Sequence, residues 1–115
     1  MPALRILTLH LAQAIRCGAP GENSGDCLKA YTHDPAALPP LGKEVELSGP
    51  GARTIGPGDY LFAQWAEGSF ESPEEGLSAF ALQAAQLPRT TEGHWLLRML
   101  MEEGKTACQA LRRLA

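Results

Sequence analysis

The stretch HWLLRMLMEEGKTACQALRRL, His94 to Leu114, decides the architecture. An apolar run ends at Glu102-Glu103-Gly104-Lys105, and a second begins at Thr106. Read as two helices, Gly104 is a C-cap, and the Leu, Met, Arg, Glu and Ala content favours that choice by propensity. Read as a hairpin, Gly104 supplies the left-handed residue of a short turn, and Leu100 or Met101 pairs with Thr106 or Ala107. Arg98, Leu100 and Glu102 alternate with Leu97, Met99 and Met101, which is the two-residue period of a strand and tips the balance to the hairpin.

Upstream of this stretch stands the clearest local signal in the chain, Ser72-Pro73-Glu74-Glu75. Ser72 can cap a helix, Pro73 suits the first helical position because its missing N–H has no helical partner there anyway, and Glu75 completes a capping box. Leu77, Phe80, Ala81 and Ala84 then recur on one face, and Pro88 stops the run, so a helix is expected over 73–87. Half of that face is alanine, which suits close packing on a sheet.

Further upstream, Asp59 to Ala66 is rich in aromatics and Glu44 to Leu47 alternates, so both read as strands. Gly49-Pro50-Gly51 and Gly56-Pro57-Gly58 lie between them, and the simplest arrangement is an antiparallel pair with a wide, turn-rich connection. Residues 3–11 fit a strand through Ile6, Leu7, Leu9 and Leu11, although Leu4, Leu7, Leu11 and Ile15 also fall at helical spacing. Residues 16–43 carry eight of the chain's glycines and prolines and read as irregular, with at most a helical turn from Asp26 to Tyr31 capped by Ser24 or Asp26. The sum is an α+β fold: a small antiparallel sheet of four or five strands with one well-capped helix on one face, in a single domain spanning 1–115.

At 115 residues and 44% apolar, the chain can bury about two thirds of its extended surface without a metal or disulfide staple. A net charge of −3 is not the footprint of a nucleic-acid binder. No apolar run approaches the roughly 18 residues that span a bilayer, and the three cysteines form no even framework, so a cytoplasmic location is expected. Acidic residues (Asp59, Glu67, Glu71, Glu74, Glu75) dominate between Arg53 and Arg89, and basic ones from Arg89 onward, a segregation that suits a solvated face, or an acidic face that meets a basic partner or the C-terminus of a second copy of the chain.

No motif fixes an activity. Cys17, Cys27 and His33 share the irregular segment and are the candidate metal ligands, but nine residues separate the cysteines where a zinc knuckle uses two to four. Cys27 is the candidate nucleophile, since a thiol at the start of a helical turn feels the positive end of the dipole, with His33 or His10 as base. The run from Gly18 to Lys29 is glycine-rich but lacks the lysine placement of a phosphate loop, and Glu22 and Asp26 would repel a phosphate. Trp65 and Trp95 read as core residues, with the option that one anchors a partner. The reading that results is a non-enzymatic, cytoplasmic interaction module without cofactor. It binds a protein partner or self-associates through an open sheet edge or the C-terminal segment. The alternative is a small cysteine-dependent enzyme or redox protein using Cys27 in the 16–35 loop.

Overall fold

The computed structural model describes residues 4–18, 26–49 and 51–115. Its elements in chain order are strands Leu7–Leu11 (β1), Ile15–Arg16 (β2), Asp26–His33 (β3), Leu41–Val45 (β4), Thr54–Ile55 (β5) and Gly58–Ala66 (β6), helix Pro73–Ala85 (α1), and strands Thr91–Glu102 (β7) and Lys105–Leu114 (β8). The hairpin is real: Leu100 faces Ala107 and Met101 faces Thr106. Glu103 and Gly104 turn the chain at φ of 50° and 76°, the positive pair that a two-residue type I′ turn requires. Burial on both faces decides strands over helices here. Trp95, Leu97, Cys108 and Ala110 pack on one side, Leu96 and Leu111 on the other, and a one-sided helical stripe could not serve both.

The main sheet has six strands, ordered β1-β6-β8-β7-β3-β4 and antiparallel throughout, rather than four or five. The additional strand is β3, in the segment whose Asp26 to Tyr31 run suggested a helical turn. It pairs with β7 over Asp26 to Tyr31 and with β4 on its other side, so two ladders outweigh the local preference. The proposed cap Ser24 lies outside the described residues. The expected pairing of 44–47 with 59–66 does not form either. β4 pairs with β3, while β6 sits between β1 and β8, and the short β5 pairs with β2 in a separate two-stranded ribbon.

Each face of the sheet has its own cover. On one, Leu77, Phe80, Ala81 and Ala84 of α1 are buried against Leu61, Ala63, Trp65, Trp95, Leu97 and Ala110. Gly76 lies flat on the Trp65 indole with no room for a Cβ, which explains a glycine in a helix at a cost of about 1 kcal/mol. Ser72 Oγ accepts from the Glu75 N–H at 3.1 Å, as the cap predicts. The helix ends at Ala85, two residues before the expected 87, with Gln86 as its C-cap. The N–H groups of Gln86 and Leu87 turn to the carbonyls of Gln83 and Ala84 at 3.1 Å in a tightened last turn, and a residue before proline, here Leu87, is disfavoured in the helix. Gln83 clips the entering chain: its side-chain amide exchanges two hydrogen bonds of 2.9 Å with the Leu4 backbone. On the opposite face the β2–β5 ribbon and Leu47 cover Leu9, Leu28, Tyr60 and Leu111, with Ile55 and Cys17 buried at its centre. Arg53 ties the ribbon down by donating to the carbonyls of Leu28 at 2.7 Å and Leu47 at 3.2 Å.

Candidate functional site

The topology separates the candidate catalytic and metal residues. Cys27 lies near the start of β3, opposite Met99, and by strand alternation is on the α1 side of the sheet, whereas Cys17 belongs to the ribbon-side core. His33 is six residues further along β3, roughly 20 Å away at strand rise. His10 is on β1, four strand spacings or roughly 19 Å across the sheet, and bonds Asp59 at 2.7 Å. At these separations neither imidazole lies within hydrogen-bond reach of Cys27. No group of three or more His, Cys, Asp or Glu side chains able to hold a metal occurs among the described residues. Cys27 and Cys108 flank Met99 on adjacent strands, two spacings or about 10 Å apart, beyond the reach of a disulfide.

The helical turn that would have activated Cys27 is a strand, and its thiol is pushed up rather than down. Burial is the main cause; Lys29 and Arg53 oppose it and Asp26 adds to it. Cys17 rises for the same reason, with Arg98 opposing and Asp26 adding, and Cys108 rises through burial, Glu67, Glu74 and Cys27. A thiol held in its protonated form is a poor nucleophile and a poor ligand. Tyr31 is pushed up to about 12 by burial, with Glu74 and then Glu44 adding to it.

Two polar constellations come together that spacing in the sequence did not suggest. The first crosses four strands on the ribbon side. Gln109 donates to Gln64 at 3.0 Å, Arg98 donates to Gln109 at 3.3 Å and to Asp26 at 2.9 and 3.2 Å, and Asp26 accepts from the Gly18 N–H at 3.2 Å. Of the glycine-rich run, residues 19–25 lie outside the described residues, and Gly18 and Asp26 at its two sides are joined by that last bond. The second lies under the end of the sheet on the helix side. Arg112 is 4% exposed, stacks at 4.3 Å over Trp95 and donates to His33 Nδ1 at 2.8 Å, while its Nε has no hydrogen-bond partner among the described residues. Trp95 in turn donates to the Pro40 carbonyl at 2.9 Å. Burial and then Arg112 lower the His33 pKa, which keeps the imidazole neutral and its Nδ1 free to accept. The signal available in the sequence was limited to polar residues at alternate strand positions, Gln64, Arg98 and Gln109 among them, without any hint of which strands are neighbours.

Both constellations are bonded into the scaffold, and both tryptophans are buried, at 7% for Trp65 and 1% for Trp95, so neither is a surface anchor. A cleft of about 230 Å³ opens beside the start of α1, walled by Trp65 and Phe70 and rimmed by Glu67 and Glu71, with the protonated Cys108 at its floor. A wider depression of about 440 Å³ lies over Ala66 and Ala107 between Gln64 and Lys105. Neither brings a nucleophile together with a base or an anion cradle.

What remains open is the sheet's margin. β1 and β4 are the two edge strands, and neither has a further strand beside it among the described residues. Leu7 and Met101 are exposed at 42% and 62%. No helix among the described residues is long and apolar enough to cross a membrane. Compared with known proteins, the chain matches no family model, no curated protein and no solved structure.

Proposed function

We propose that the chain is a small, non-enzymatic interaction module that works through an open edge of its sheet, by self-association or with another protein. The observation that carries this reading is the outer edge of β1, a row of backbone donors and acceptors with no strand beside it among the described residues. The distribution of reactive groups supports it: Arg98, Gln64, Gln109 and Asp26 are bonded to one another, and burial pushes the three thiols up. Three free thiols also suit a reducing compartment such as the cytoplasm.

Two measurements test the reading. A thiol reagent at pH 6 reacts slowly with Cys27 under this proposal; rapid reaction that persists below pH 7 would transfer the chain to the cysteine-dependent enzymes. Light scattering over a dilution series detects a mass rising above the monomer, or binding to a protein partner, and a monomer that never associates would remove the support for self-association.

A further inference from the structure

We infer that the partner at β1 is a second copy of the chain, paired antiparallel about a two-fold axis through Leu9, so that two six-stranded sheets join into one. This rests on the reading of the chain as an interaction module and names the surface it uses.

The two edges of the sheet differ in how they are defended. β4 carries Lys43 and Glu44, both exposed, follows Pro39-Pro40 and runs on into Glu46, the charges and prolines that keep edges from pairing. β1 reads Leu-Thr-Leu-His-Leu, with no proline, no acid and no lysine or arginine. Its one titratable side chain, His10, is already bonded to Asp59 of its own chain.

The strand is also close to a palindrome. A two-fold axis at Leu9 sets Leu9 against itself, Leu7 against Leu11 and Thr8 against His10. Because side chains alternate, all six leucines fall on the ribbon side and form one apolar row. Leu7, the exposed member beside Phe62, is then covered by Leu11 of the partner subunit. On the other side each His10 meets a threonine, and no like charges oppose each other. A polar or mixed edge shifted by one residue would instead put leucines against the helix side. Five residues a side bury less than the roughly 1,200 Å² at which stable interfaces begin, so the dimer is weak and responds to concentration.

Cysteines at the two exposed positions read the register. A mixture of Thr8→Cys and His10→Cys chains is expected to form a disulfide-linked dimer, while neither variant alone does and the parent chain, with its three native thiols, serves as control. Charge exchange gives a second readout that needs no cross-link. Thr8→Glu with His10→Lys sets glutamate against lysine twice and tightens the dimer, whereas Thr8→Lys with His10→Lys sets lysine against lysine and weakens it, with about tenfold between the two and the same contact to Asp59 in both. Cross-linking of Thr8→Cys alone as fast as the mixture, equal association of the two charge variants, or a monomer at every concentration overturns the inference. A dimer that ignores all these changes overturns the β1 pairing and leaves the module reading standing; a fast-reacting Cys27 does the reverse.

Discussion

The two covers of the sheet solve one problem by unequal means. On one face α1 lays thirteen residues over the strands, capped by Ser72 and clipped to Leu4 by Gln83. On the other the β2–β5 ribbon contributes two paired residues from each strand and depends on Arg53 and the buried Ile55 to stay in place. The helix satisfies its own backbone and needs the sheet for its apolar stripe alone, whereas a two-stranded ribbon is marginal by itself. The helix face is therefore expected to unfold with the molecule and the ribbon face to open first.

Emptying each cover in turn separates the two faces most strongly. Phe80→Ala removes a ring packed edge-on against Trp95 at 5.9 Å and is expected to cost about 3–5 kcal/mol, read as a lower midpoint in urea with the whole chain unfolding together. Ile55→Ala, though its side chain is equally buried, is expected to cost about 2 kcal/mol, with amide exchange rising in β2 and β5 ahead of the sheet. Equal costs with equal cooperativity would show that the ribbon is as integral as the helix.

Beneath the ribbon, Asp26→Asn keeps the shape of the side chain but removes the charge facing Arg98, whose side chain is 17% exposed. A loss of about 2 kcal/mol is expected, because the guanidinium keeps Gln109 and loses its anion. Denaturant titration measures it, and a neutral result would mean that the row across the four strands adds little to stability.

The smallest effect separates Arg98 from Arg112. Arg98 holds a carboxylate; Arg112 depends on a neutral imidazole. The folded chain lowers the His33 pKa below the value of about 6.5 that it has when unfolded, so the unfolded state takes up the proton first as pH falls. The stability this contact contributes is thus present at pH 7 and above and is lost as pH drops below about 6.5. His33→Gln keeps an acceptor for Arg112 without titrating, so melting temperature should fall less steeply between pH 7 and 5 in the variant than in the parent. Parallel curves would remove His33 as the cause.

What could be read in advance follows the same division. Helix α1 declared itself because its signals are local: Ser72, Pro73 and Glu75 lie within one turn, and the stripe from Leu77 to Ala84 repeats every three or four residues. The β7–β8 hairpin was legible through Gly104 and the alternation around Arg98. Strand β3 was not, since Asp-Cys-Leu-Lys-Ala-Tyr carries good helix formers and becomes a strand only between β7 and β4, whose residues lie far away in sequence. The ribbon leaves no trace in the sequence for a different reason: two-residue strands have no period to detect. At the candidate site, the separation of Cys27 from His33 follows directly from β3 being extended where the local residues suggest a helical turn. The link between Arg112, Trp95 and His33 depends on three strands meeting and has no counterpart in spacing.

The claim that the chain works through its undefended edge is tested most directly by amide hydrogen exchange in β1 and β4 over a wide range of protein concentration. Protection of alternate amides between Leu7 and Leu11 is expected to rise with concentration while Leu41 to Val45 stays unchanged. Exchange in β1 that is identical at every concentration, or a change confined to β4 or the C-terminal strand, would contradict the account.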